Sequence, residues 1–191
     1  MAVLLIGARR KPRIAPLGSP AENLAVMTAI GKLSGAMLNP DSKVASRAVV
    51  ELTPDELNAI LANAIRAYQM KNSGADAPVI FAEWRDKLAA LDVSLPLPVA
   101  GAVNSHAGVR PDLAARKLVL QITGVRAGWL PVPDFLINPI AEQALRELEK
   151  SEQYRLAVEV VESLQVTESG NLRIEFLPAR ISLLLGLLLQ R

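Results

Sequence analysis

Apolar residues recur along this chain with two different periods, and the switches between them mark out its elements. Ser19-Pro20-Ala21-Glu22 has the form of a capping box with proline at the first helical position, and Leu24, Met27, Ile30, Leu33 and Met37 follow near helical spacing. Gly31 and Gly35 weaken that helix by roughly 1 kcal/mol each relative to alanine. Thr53-Pro54-Asp55-Glu56 repeats the start signal, with carboxylates in the first turn, where the helix dipole favours them. Leu57, Ile60, Leu61, Ala64, Ile65 and Tyr68 then form one stripe, from whose centre Asn58, Asn63 and Arg66 fall away. This predicts a helix from about Pro54 to Met70, closed by Asn72-Ser73-Gly74, that lays its stripe against a sheet. A third helix is predicted from Asn138-Pro139 to Lys150, with Ile140, Ala144, Leu145 and Leu148 on one side.

Period-two segments occupy much of the remainder. Strands are expected over Val44–Leu52, Pro78–Trp84 and Leu91–Leu95, the last ended by Pro96 and Pro98, with a weaker one over Val99–Ala107. Leu118, Leu120 and Ile122 alternate within Arg116–Gly128, and the turn WLPVPDF stays extended through Pro131 and Pro133. Two further alternating runs, Tyr154–Val166 and Asn171–Phe176, meet at Glu168-Ser169-Gly170-Asn171, which reads as a hairpin turn. Glu159, Glu162, Arg173 and Glu175 would then lie on the outer face of that hairpin. From Arg116 to Phe176 the chain therefore reads as strand, helix and β-hairpin. Strands interrupted by helices at irregular intervals indicate an α+β fold with a mainly antiparallel sheet packed against two or three helices; the regular rhythm of a parallel sheet is missing. Residues 1–18 read as an N-terminal arm and 19–191 as a single domain.

Composition sharpens this. Hydrophobic residues make up 51% of the 191, charged residues 21% and aromatics only 4%. So much aliphatic surface implies a large core, or apolar surface that meets lipid or a partner. The net charge of +2 owes much to Arg9, Arg10, Lys11 and Arg13; without those four the remainder is slightly acidic. A basic face with aromatics for base stacking is absent, so nucleic acid is not an expected partner. The run itself reads as a solvated arm or a membrane-proximal linker. No stretch of 18 apolar residues exists to span a bilayer. Met1–Gly7 is a short apolar run, and Ile181–Gln190 is almost all leucine. The latter carries too many leucines for one face of a helix or strand, and is expected to pack on the sheet and close an apolar groove.

No constellation for catalysis is visible. Without cysteine there is no disulfide, thiolate metal site or cysteine nucleophile. His106 is the sole histidine, sits in a Gly/Ala-rich stretch and reads as an ordinary polar loop residue without partners. The 19 carboxylates are scattered, with no calcium-loop spacing, and no phosphate-binding glycine loop occurs. Neither a cofactor nor a metal is expected. Glu147, Glu149 and Lys150 read as a solvated helix face. The one unusual cluster is Trp129, Leu130, Val132 and Phe135. It is a buried corner between strand and helix, an apolar mouth for a lipid chain or a peptide, or an interfacial anchor.

VVELTPDELNAILANAIR, LDVSLPLPVAGAVN and LVLQITGVRAGWLPVPDFLI together resemble the YpmS-like family of bacterial proteins, over roughly Val44–Pro178. That resemblance implies an N-terminal membrane anchor that this chain does not contain in full, an extracytoplasmic domain, and a curved sheet similar to those of tubular lipid-binding proteins. It brings no established activity with it.

These readings converge on a noncatalytic, membrane-associated extracytoplasmic protein that holds a lipid or other apolar ligand in a groove. Trp129, Leu130, Val132, Phe135, Leu184 and Leu188 are the candidate lining. The competing reading is a structural or protein-interaction module whose apolar surface forms homo- or hetero-oligomers. A membrane surface and a second copy of the chain are the partners considered besides the ligand, and a cytoplasmic location stays open.

Overall fold

Two hairpin turns of the sheet are joined through one buried tryptophan. In the computed structural model, residues 18–38, 47–72, 77–97, 101–114 and 117–180 are described. Their strands are β1 (Ala48–Leu52), β2 (Val79–Arg85), β3 (Leu88–Leu97), β4 (Gly101–Ala114), β5 (Lys117–Ala127), β6 (Leu130–Pro131), β7 (Val161–Val166) and β8 (Leu172–Phe176). The helices are α1 (Pro20–Leu38), α2 (Pro54–Lys71), α3 (Asp134–Lys150) and α4 (Glu152–Val160). The strands form one open, curved, antiparallel sheet ordered β1-β8-β7-β4-β3-β2, with β5 and then β6 added on β4. The α+β class, with helices packed on a curved antiparallel sheet, is therefore what the chain adopts.

Strand β4 holds the sheet together because it is long enough to serve several neighbours. β3 pairs with it from Gly101 to Val109, β7 meets it at Leu113, and β5 pairs with it from Ser105 to Ala114. β3 and β7 thus lie end to end along one edge of β4, while β5 takes the other. The register with β5 shifts between His106 and Gly108. A Cβ on Gly108 would come within 3.1 Å of Thr123 Oγ1 and 3.2 Å of Leu88 Cδ1, so glycine is what lets the strands close up at this bulge.

The β2–β3 hairpin turns at Asp86 and Lys87, both with positive φ (53° and 66°), the backbone of a tight primed turn made without glycine. The β7–β8 hairpin turns through Thr167–Asn171, where Gly170 (φ 84°) takes the left-handed position and Thr167 Oγ1 accepts the Asn171 N–H. Trp84, 5% exposed, joins the two turns: its indole N–H donates to the Gly170 carbonyl at 2.8 Å. Around it pack Val50, Leu52, Leu57, Val160, Leu172, Phe176 and Ala29, the main core.

Helix α2 starts as its sequence predicts. Thr53 Oγ1 accepts the Glu56 N–H, and the Glu56 carboxylate accepts the Thr53 N–H at 2.8 Å. Its burial differs from the predicted stripe. Leu57 and Ala59 are buried and Ile60, Leu61 and Ile65 half-buried, but Ala64 is exposed and Tyr68 is 44% exposed. The reason lies at the open edge of β2, along which α2 runs. Asn58 donates to the Trp84 carbonyl and accepts the Trp84 N–H, and Gln69 donates to the Ile80 carbonyl at 2.9 Å. Their amides take the place of a missing strand and cover an edge that would otherwise be free to pair with another chain. Asn63 and Arg66 are also occupied, Arg66 by Asn63 and by Glu22 of α1.

Other expectations need correcting. α1 forms where expected, with Ser19 Oγ accepting the Glu22 N–H at 3.1 Å, but Leu24, Met27 and Ile30 are 69%, 67% and 52% exposed. Only Ala29 is buried, with Leu33 and Met37 half-buried. α3 begins at Asp134, not at Asn138, and Pro139 lies inside it, one turn in. Tyr154–Val160 is helix, not strand: Ser151 breaks α3 and its hydroxyl caps α4 by accepting the Tyr154 N–H. Glu159 therefore sits on a helix, and Glu162 is paired with Arg47 instead of lying free on the sheet. Pro96 does not end β3 but pairs with Ala102 within it, while Ser94 is buried and Leu95 46% exposed, the reverse of the predicted alternation. Of the predicted strand Val44–Leu52, residues 44–46 lie outside the described residues. So do Met1–Leu17, Pro98–Ala100 and the leucine-rich tail from Ile181 onwards.

Candidate apolar cleft

β5 keeps the strict alternation read from its sequence: Leu118, Leu120 and Ile122 are half-buried, while Lys117, Val119 and Gln121 are exposed. α3 stands opposite. Asn138, Glu142, Leu145 and Glu149 follow one another at steps of three and four, which puts them on one side of the helix. Between the two elements lies an open cleft of about 620 Å3, lined by Leu118, Leu120, Ile122 and Leu145 with Lys117, Asn138, Glu142, Arg146 and Glu149 at its rim. Glu142 and Arg146 bond across one helical turn at 3.1 Å. The rim therefore carries two cations and two anions over an apolar floor. Such a rim carries no net charge and so would not select a ligand by charge.

Trp129, Leu130, Val132 and Phe135 all sit in the connection that leads from β5 through β6 into α3. The Gly128 N–H donates to the Asn104 carbonyl at 2.6 Å, and Val132 N–H to the Val125 carbonyl at 2.9 Å, which fixes the corner. Leu130 and Val132 are half-buried there. Trp129 is 58% and Phe135 72% exposed, so the buried-corner reading does not hold for either ring. None of the four lines the cleft wall. With the neighbouring Leu136, 50% exposed, they form an apolar surface where β5 gives way to α3. Leu184 and Leu188 lie outside the described residues. The sequence had marked Leu118, Leu120, Ile122 and Leu145 as apolar positions of a strand and a helix. Nothing in their spacing showed that the two faces would stand apart and leave space between them.

A second cleft, about 660 Å3, opens between α1, α2 and β2, with Leu24, Thr28, Ala59 and Phe81 beside Glu22, Asp55, Glu56 and Glu83. Two of its carboxylates serve the fold. Glu22 binds Arg66, and that bond holds its carboxyl below the ordinary range. Burial opposes ionisation of Glu56, but Lys32 at 2.7 Å and the Thr53 amide outweigh it and keep its carboxyl below the ordinary value as well.

His106 is not a loop residue. It lies in β4 opposite Asp92 of β3, with Nδ1 2.8 Å from the Asp92 carboxylate, and both are partly exposed. Two residues along, Ser94 Oγ donates to Asn104 Oδ1 at 2.6 Å. The pairs form a polar ladder across two strands, which stabilises a sheet by a few tenths to 1 kcal/mol per pair. Among the described residues no three His, Asp or Glu side chains come close enough to hold a metal ion.

No protein-family model, curated protein or solved structure is significantly similar to the chain.

Proposed function

We propose that the protein binds an apolar or amphipathic ligand of lipid chemistry in the cleft between β5 and α3, and performs no reaction on it. The observation that carries this reading is the cleft itself: an aliphatic floor of Leu118, Leu120, Ile122 and Leu145 under a rim of balanced charge. The aliphatic-rich composition supports it, and the resemblance of Val44–Pro178 to membrane-anchored bacterial proteins suggests an extracytoplasmic setting beside a membrane. A fluorescent long-chain fatty acid should bind the purified protein saturably. Leu120→Asp should abolish that binding while the circular dichroism spectrum stays that of wild type. Wild-type protein that takes up no such probe, or a Leu120→Asp variant that binds it equally well, would overturn the assignment.

A second reading, a protein-interaction module, has one observation in its favour. β5 pairs with β6 only through Arg126 and Ala127, so much of its outer edge lacks a strand partner among the described residues. Such an edge can accept an extended peptide from another protein. Peptide binding unaffected by Leu120→Asp would point to that use.

A further inference from the structure

α1 carries apolar residues on every side, yet it lies at the surface. Its inner side holds Ala29, 1% exposed, and half-buried Leu33, Ala36 and Met37. Its outer side presents Leu24, Met27, Ile30 and Leu38, between 52% and 80% exposed. The only charged residues of the helix, Glu22 and Lys32, both reach to neighbouring elements: Glu22 to Arg66 of α2, Lys32 to Glu56 and to the Glu51 carbonyl. A surface helix ordinarily does the reverse, with charge outward and apolar groups inward, and a helix that is apolar all round is ordinarily covered. Gly31 and Gly35 add to the picture, since a Cβ on either would meet nothing within 4 Å.

We infer that the outer side of α1 seats the protein on an anionic lipid bilayer. Two arguments select a bilayer over a second copy of the chain. The first is area. A helix of 19 residues is about 28 Å long and presents a strip about 10 Å wide. Pairing two such strips buries roughly 600 Å2, well below the roughly 1,200–2,000 Å2 of a stable protein interface. Lipid sets no such threshold, because interfacial binding grows with each apolar group that enters the headgroup boundary. The second is charge. Arg9, Arg10, Lys11 and Arg13 lie 7 to 11 positions before Pro20 in the sequence, and a basic run joined in sequence to an apolar helix supplies the two signals that together hold a protein on anionic lipid. Asp55, which borders the α2 side of the helix, would be repelled by that surface. It sets the orientation, with Met27, Ile30 and Leu38 toward lipid. This inference does not depend on the cleft beside α3.

The test uses the full chain with vesicles of phosphatidylcholine alone or mixed with phosphatidylglycerol. Wild type should sediment with the mixed vesicles, and less so as salt is raised. Met27→Ser with Ile30→Ser should weaken binding at least tenfold with an unchanged melting temperature, because both side chains are already exposed. Glutamine at positions 9, 10, 11 and 13 should remove the preference for anionic lipid, a loss of about a hundredfold or more. Gly31→Leu should tighten binding. The chain contains no cysteine, so a polarity-sensitive dye can be attached at Met27→Cys. Its emission should shift to the blue on mixed vesicles, while the same dye at exposed Gln121→Cys on β5 should not respond. Wild type left in the supernatant with both vesicle types would overturn the inference, as would unchanged binding by the Met27→Ser, Ile30→Ser variant. A dimer in sedimentation equilibrium that this same variant dissociates would assign the face to a second copy instead.

Discussion

The two tryptophans of this protein lie in two differently built regions. Trp84 sits where α1, α2, β1, β2 and the β7–β8 hairpin converge, with its indole nitrogen bonded and its ring enclosed. Trp129 sits at the β5–β6–α3 corner with more than half its surface open. In the first region even strand edges and helix ends are served by side chains: Asn58 and Gln69 on β2, Lys32 on Glu51, Thr53 and Glu56 on each other. In the second, α3 meets solvent along most of its length, and Phe135, Leu136 and Leu148 are exposed. Buried packing is concentrated in the first region, where the exposed apolar side chains lie mainly on the outer side of α1; in the second, exposed apolar side chains stand beside few buried ones. That division is the expected one, since local opening and ligand capture draw on elements with few buried contacts.

Substituting each tryptophan tests the division most strongly. Trp84→Ala should destabilise by about 3–5 kcal/mol, from the cavity and the lost bond to Gly170. Trp129→Ala should change stability by about 0.5 kcal/mol or less. Urea titrations of both variants would measure this, and similar losses would erase the distinction.

Next in size is Asn58→Leu. It removes the partner of both the N–H and the C=O of Trp84, and each buried group left unpaired costs about 1–3 kcal/mol. The variant should melt well below wild type and, with the β2 edge uncovered, associate at raised concentration, which light scattering would detect.

Acid should act on the same region. Glu56 has its folded-state pKa lowered, so the stability it confers is fully present above its unfolded value, near 4.3. That stability is lost as the pH falls through the lower folded value. Wild type should therefore lose melting temperature steeply below about pH 4.5, whereas Glu56→Gln, already weaker by roughly 2 kcal/mol at pH 7, should show a shallower acid limb. Parallel limbs would mean that the Lys32 pair contributes nothing.

The smallest expected effect is a gain. Lys87 holds a left-handed backbone that disfavours side chains, so Lys87→Gly should raise stability by about 0.5 kcal/mol after the extra entropy of glycine is offset.

Much of both regions was legible in the sequence. Thr53–Glu56 gave the start of α2, Glu168–Asn171 gave the β7–β8 turn, and Leu118, Leu120 and Ile122 gave the alternation of β5. These signals are local, set by capping, turn chemistry and period. What stayed hidden depends on neighbours distant in sequence. Asn58 and Arg66 looked like solvent-facing polar residues, because only the position of β2 and α1 turns them into edge cover and ion-pair partner. The apolar spacing of α1 was visible, but which side faces the core was decided by Arg66 and Glu56, which draw Glu22 and Lys32 inward. Tyr154–Val160 alternates as a strand would, yet the cap supplied by Ser151 carries it into a helix. Trp129, Leu130, Val132 and Phe135 lie outside the cleft, which depends on the gap between β5 and α3 that no local pattern encodes.

β1 pairs with β8, Ala48 opposite Phe176, so the first described strand waits for the last. Closing so long a loop adds little to the free-energy cost of folding, because that cost grows only with the logarithm of length. Its effect is on time. Contacts of high sequence separation slow the search, and until β8 has left the ribosome β1 lacks the strand it pairs with and Val50 and Leu52 lack the Phe176 ring. During synthesis the nascent chain therefore carries β1 without its β8 partner until residue 176 is made, and an unpaired strand edge in that interval favours association with other chains.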